Sequence, residues 1–138
     1  MHALIIEDES MVALAIEEVL RCECGFTSFD IAPSAHSAIV AAAFRRPDII
    51  TSDVRLKRGC GISAVESICD GRAIPTIFIT GNAADVTRRL PTFRVLEKPF
   101  SETALVAAVA SAMLDISDGD ARNRAHDDLS FGPRADLR

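Results

Sequence analysis

The sequence predicts an α/β fold in which five parallel strands alternate with five helices in one doubly wound sheet. Two observations predict it. Short apolar runs bounded by turn-prone residues alternate with segments whose apolar positions recur at helical spacing. The chain has 138 residues, 49% hydrophobic and 25% charged, which suits one compact domain with a substantial core.

Taken in order, Ala3–Ile6 is a short apolar run followed by acids, hence a buried strand. Between Met11 and Arg21, Val12, Ile16, Val19 and Leu20 share one helical face and Glu17, Glu18 and Arg21 the other, with Ser10 as the cap. Thr27–Ala32 reads as a second strand, Ser34–Phe44 as an alanine-rich helix and Asp48–Ser52 as a third strand. A loop carrying Gly59 and Gly61 leads to a helix from about Ile62 to Cys69. Pro75 introduces the strand Thr76–Ile79, and Asn82 caps a short helix ending near Leu90. Arg94–Leu96 makes the fifth strand, and Ser101 starts a last helix with Leu105, Val109, Ala112 and Met113 on its inner face. Composition shifts near residue 117. From there to Arg138 the chain is polar, with five acids, four arginines and Phe131 as the only aromatic. A domain over residues 1–116 followed by a flexible tail over 117–138 is the expectation, with a short docking peptide as the sharper alternative.

Composition also excludes classes of function. A net charge of −5 disfavours direct DNA binding, which needs surplus positive charge. Apolar runs fall far short of the ~18 residues of a membrane span. Met1-His2-Ala3 offers no basic segment ahead of an apolar export signal, so the cytoplasm is the expected location. Cys22, Cys24, Cys60 and Cys69 lack zinc-site spacing and read as free thiols. Gly59-Cys60-Gly61-Ile62-Ser63-Ala64 fits a dinucleotide-binding glycine pattern, but it lies several residues past the third strand. The first strand–helix turn is acidic and would repel a pyrophosphate, so the pattern is a decoy. His2, His36 and His126 have no Ser or Cys elbow to serve as a hydrolase triad.

In either common order of an open doubly wound sheet, residues just past the C-terminal strand ends share one crevice. Glu7, Asp8 and Glu9 follow the first strand, Asp53 the third, Thr80 the fourth and Lys98 the fifth. If strands one and three are neighbours, Glu7, Asp8 and Asp53 converge and repel one another unless a cation intervenes. Carboxylate oxygens without Cys or His suit Mg²⁺. Lys98 brings a second positive charge and Thr80 a hydroxyl. Only Lys57 and Lys98 are Lys among fifteen basic residues, which favours a chosen point charge at Lys98. Each residue alone has an ordinary reading: an acid as a helix cap (Glu9 is left as such), Thr80 as a strand-end hydroxyl, Lys98-Pro99 as a turn. Four matched groups at four strand ends are hard to assign to chance. Together they suit Asp53 as a nucleophile toward an activated phosphate.

The segments LIIEDE (4–9), IITSDVRL (49–56) with Gly61 eight residues past Asp53, TIFITG (76–81) and EKPF (97–100) occur in that order. With them the chain resembles a response-regulator receiver domain (CheY-like) over about residues 1–116. The resemblance implies a flavodoxin-like (βα)5 sheet with Asp53 as phospho-acceptor. It implies Mg²⁺ held by Asp8, Asp53 and the backbone carbonyl of Arg55, with Glu7 acting largely through water. Thr80 and Lys98 would bond the aspartyl phosphate, and Arg55 and Asn82 would influence attack by water. The implied donor is a sensor histidine kinase or histidine phosphotransfer protein. A downstream protein partner would read the surface of the fourth helix, fifth strand and last helix, and a homodimer is compatible with this. The implied role is signalling with slow self-dephosphorylation, not enzymatic turnover of a substrate.

Some positions depart from the pattern. Val95 stands where many receivers carry Tyr or Phe, with Phe93 two residues earlier, and Lys57 replaces the usual loop Pro. Phe78-Ile79-Thr80-Gly81 resembles an alphaproteobacterial subgroup with a Phe-Ala-Thr-Gly motif, which includes stand-alone receivers, some linked to general stress signalling. The short polar remainder predicts a stand-alone regulator acting through another protein. The competing expectation is a phosphorylation-independent interaction module of the same fold, for which Val95 leaves room.

Overall fold

Each of the five predicted strands forms in the computed structural model, which describes residues 1–89 and 92–129. In chain order the elements are β1 (His2–Ile6), α1 (Ser10–Glu23), β2 (Ser28–Ala32), α2 (Ala35–Phe44) and β3 (Ile49–Ser52). They continue as α3 (Gly61–Ile68), β4 (Thr76–Thr80), α4 (Ala83–Arg89), β5 (Arg94–Glu97) and α5 (Glu102–Leu129). The strands pair in parallel in the order β2-β1-β3-β4-β5. Of the two orders left open by the sequence, this is the flavodoxin-like one, with β1 beside β3.

Alternation along the strands divides the core into two layers. Ala3 and Ile5 of β1 face Ile16 and Leu20 of α1 and Leu105 and Val109 of α5. Leu4 and Ile6 face Ala38 and Ala42 of α2 and Ala64, Val65 and Ile68 of α3. Because β1 is covered on both faces, its sequence shows a continuous apolar run without polar alternation. Complete burial of each such Leu or Ile contributes about 1.5–3 kcal/mol before entropy is counted. His2 also belongs to β1, although polarity hides it from a hydrophobic pattern. It is 3% exposed, and its ring nitrogens meet Ser28 Oγ at 2.8 Å and Asp30 Oδ2 at 3.0 Å.

Side-chain caps set the starts of α2 and α5. Ser34 Oγ accepts from the Ser37 N–H while Ser37 Oγ accepts from the Ser34 N–H, both at 3.1 Å, closing a capping box on α2. Ser101 Oγ accepts from the Ala104 N–H at 3.0 Å at the start of α5. The first helix corrects the expectation. Ser10 is its first residue rather than its cap, and Glu9 holds the cap position without a side-chain bond. The physical reason lies upstream: Glu7 Oε2 accepts the Glu9 N–H at 3.1 Å and fixes the turn out of β1.

At the end of the chain, α5 runs to Leu129, past the composition shift near residue 117. The composition shift removes the apolar stripe but not helix propensity, since Ala121, Arg122, Arg124 and Ala125 are good helix formers. The predicted tail over 130–138 and the predicted helix end at Leu90 lie outside the described residues. Among the described residues no helix is long and apolar enough to cross a membrane. All four cysteines are free thiols.

Candidate functional site

Strand pairing brings the acids together. Ile6 of β1 is level with Ser52 of β3, so Glu7 and Asp8 leave the sheet where Asp53 does. The Asp53 N–H donates to Ile6 O at 2.9 Å and the Lys98 N–H to Thr80 O at 2.9 Å, which pins the loops to the strand ends. One carboxylate oxygen from each of Glu7, Asp8 and Asp53 lies within 4.8 Å of the others. Lys98 reaches the same point: its Nζ donates to Glu7 Oε1 at 2.9 Å and to Asp53 Oδ2 at 3.0 Å. The sequence-predicted acids and the lysine therefore form one cluster. Glu9 is exposed and contributes its backbone N–H only.

The electrostatics follow from burial. Burial pushes the Glu7 carboxyl above the ordinary carboxylate range, and the bonds from Lys98 and the Glu9 N–H only partly offset it. Burial acts to lower Lys98, but its hydrogen bonds to Glu7 and Asp53 outweigh that and raise it, so the ammonium stays charged. Three carboxylates thus face one ammonium, and a divalent cation would balance the remaining charge. The donors are all hard oxygens, so the residues present fit Mg²⁺.

Several parts of the site escape a reading of side-chain types. Asp8 Oδ2 accepts the Lys57 N–H at 2.6 Å, and Asp53 Oδ1 accepts the Arg55 N–H at 3.3 Å. The loop between β3 and α3 is therefore held to two of the acids by its backbone. Gly61 has a mechanical reason as well: a Cβ there would lie 1.7 Å from the Asp53 carbonyl oxygen. The first turn of α3 rests directly on the backbone that follows β3, with the Gly61 N–H donating to Val54 O at 2.9 Å. Gly59 takes φ +103°, and a Cβ there would sit 2.6 Å from the Ala35 Cβ at the start of α2. The only sequence signal for either was the glycine spacing itself.

Thr80, 5% exposed, ends β4 and accepts the Asn82 N–H on its hydroxyl at 3.2 Å. It opens on a cavity of about 50 Å³ walled by Val54, Arg55, Ile62, Asn82, Asp85 and Val86. Phe93 stacks on Phe78 with ring centroids 5.1 Å apart, and Val95 packs in the same core layer. Phe93, the aromatic nearest in sequence to Val95, is thus docked on the core. A larger cavity of about 440 Å³, beside Ile74, Pro75, Phe93 and Asp115, contains none of the acidic cluster.

Comparison with known proteins agrees with this geometry. Residues 3–110 match the response regulator receiver domain family. The transcriptional regulatory protein PdtaR of Mycobacterium tuberculosis is 30% identical over 116 residues, covering 81% of this chain and 56% of PdtaR. The phyllosphere-induced regulator PhyR of Methylorubrum extorquens is 32% identical over 128 residues, covering 89% of this chain and 47% of PhyR. The chain thus spans about half the length of these curated relatives. The solution structure of the Erythrobacter litoralis PhyR receiver domain superposes with a TM-score of 0.71 at 29% identity, covering 82% of this chain and 89% of that domain.

Proposed function

The chain belongs to the response regulator receiver domain family, whose members signal through phosphorylation, and from that premise we propose that Asp53 accepts a phosphoryl group from a phosphohistidine. The donor in this reading is a sensor histidine kinase or a histidine phosphotransfer protein. The observation that carries it is the meeting of Glu7, Asp8 and Asp53 with Lys98 bonded to the proposed acceptor.

A carboxylate oxygen of Asp53 attacks phosphorus, a P–O bond forms, the P–N bond to the donor imidazole breaks, and the released imidazole is protonated from solvent. Mg²⁺, held by Asp8, Asp53 and the Arg55 carbonyl with Glu7 through water, would neutralise charge on the phosphoryl oxygens. Lys98 fixes the carboxylate before transfer and neutralises phosphoryl oxygens after it. The Arg55 and Lys57 N–H groups hold the loop to the acids. Phosphorylation adds about −1.5 to −2 charges at neutral pH. Thr80 and Lys98 then bond the new oxygens and draw in the loops after β4 and β5. A downstream protein reads the change on α4, β5 and α5. A 100-fold preference between the two states needs only about 2.7 kcal/mol of differential binding. In this reading the protein acts in the cytoplasm as a signalling protein without direct DNA contact, and it loses its phosphate slowly to water.

The test is incubation with acetyl phosphate and Mg²⁺ followed by intact-mass measurement. One added phosphoryl group on the wild type and none on Asp53→Asn is the expected result; equal labelling of the two sinks the proposal. A second reading, docking without phosphorylation, is favoured by Val95 in place of the family's usual aromatic, with the neighbouring Phe93 stacked on Phe78. An unlabelled wild type would favour it.

A further inference from the structure

Past its first turn, which holds His36 and Ser37, the second helix is apolar around its whole circumference. From Ala35 to Phe44 it carries no formally charged residue, whereas a surface helix ordinarily turns a charged face to water. Its inner face, Ala38 and Ala42, is covered by the sheet. The outer face is not: Ile39 is 38% exposed, Val40 40% and Phe44 88%, with His36 and Ala43 beside them. These positions recur at helical spacing and make one stripe about 12 Å long, two turns of helix.

Charge frames the stripe at its ends. The Ala35 N–H donates to Arg58 O at 3.1 Å, so exposed Arg58 sits at the N-terminal end. Arg45 and Arg46, also exposed, follow Phe44 at the other end. The flanks carry the opposite sign, with Glu66 exposed on α3 and Asp30 and Asp48 around the start of the sheet. A chain of net charge −5 therefore presents an apolar stripe with arginine residues at both ends, Arg45 donating to Ser28 Oγ at 2.8 Å and Arg46 and Arg58 exposed.

We propose that the outer face of α2 docks an amphipathic helix of a partner protein, two apolar turns long and acidic at both ends. The charge pattern selects this occupant. A second copy packed through α2 would set arginines against arginines whether the helices ran parallel or antiparallel. An anionic lipid surface would meet the flanking acids along with the arginines. A single helix lying in the stripe meets the arginines at its ends and leaves the flanking acids in water. The face lies over β1 and β2, away from the ends of β4 and β5 that carry Thr80 and Lys98, so the docking is read on the unphosphorylated chain.

The test uses the purified chain with isotope-labelled backbone amides. One probe is a synthetic helical peptide with Leu at i, i+3, i+4 and i+7 and Glu at both ends; the other is the same peptide with Lys at both ends. The Glu-ended peptide should shift the amides of Ile39–Arg46 and bind at least tenfold more tightly than the Lys-ended one. Phe44→Ser should abolish the shifts, and Arg46→Glu should weaken binding at least tenfold; both side chains are exposed, so the core is untouched. The proposal is overturned by equal binding of the two peptides, by no binding, or by shifts confined to another face. Co-sedimentation with phosphatidylglycerol vesicles lost in Phe44→Ser, or a dimer dissociated by that change, would likewise overturn it.

Discussion

Replacing Lys98 by Met removes the ammonium from the acidic cluster while keeping an unbranched, flexible side chain up to the Cε position. Lys98 Nζ lies 2.9 Å from Glu7 Oε1 and 3.0 Å from Asp53 Oδ2, and its side chain is 19% exposed. At an effective dielectric of about 20 each contact is worth about 5–6 kcal/mol of gross attraction. Much of that is offset by desolvation, and breaking a fully buried pair costs about 3–5 kcal/mol. Partial exposure of the lysine reduces the expected loss to roughly 1–3 kcal/mol. The assay is urea unfolding followed by far-ultraviolet circular dichroism, because the chain has no Trp or Tyr. A loss of about 2 kcal/mol moves the midpoint by roughly 1 M at an m-value of about 2 kcal/mol/M. The informative comparison is with Mg²⁺. Without the ammonium the three carboxylates should bind the cation more tightly, so Mg²⁺ should stabilise Lys98→Met more than the wild type. Equal stabilisation of both proteins would refute the argument that Lys98 and the metal neutralise the same charges.

Gly61→Ala places a methyl group 1.7 Å from the Asp53 carbonyl oxygen; it should cost about 3 kcal/mol or more in urea unfolding and slow labelling by acetyl phosphate. Thr51→Val should stabilise by about 1 kcal/mol in the same assay, because the Thr51 hydroxyl is buried without a partner between β1 and β4. Burial raises Glu7, so a proton competes with the cation there at higher pH than at an ordinary carboxylate. Calorimetric Mg²⁺ affinity should therefore fall as pH drops from about 8 to 5, and less steeply in Glu7→Gln. The linked stability has the opposite sense. Glu7 binds its proton more tightly in the folded state, so its contribution is present below its unfolded value and is lost as pH rises through the raised one.

The fold was legible because its central strands are buried on both faces and announce themselves as apolar runs. The acidic cluster was legible because a parallel sheet delivers the residues after its strands to one crevice, so Glu7, Asp8, Asp53 and Lys98 could be grouped by position alone. Backbone contributions were not legible. No pattern of residue types shows that the Lys57 N–H seats on Asp8, or that α3 leaves no room for a methyl group at Gly61. The start of α1 was misread for a related reason: a side chain two residues upstream, Glu7, does the work a cap would do. At the other end of the chain, apolar periodicity reports burial rather than helicity, so α5 continues beyond the point where the stripe stops.

The most direct test of the account locates the phosphoryl group. After acetyl phosphate and Mg²⁺, borohydride reduction converts an aspartyl phosphate to homoserine, and peptide mass spectrometry reads its position. The account predicts homoserine at residue 53 and nowhere else. Conversion at Asp8 in place of Asp53, or a labelled protein that yields no homoserine, would contradict it.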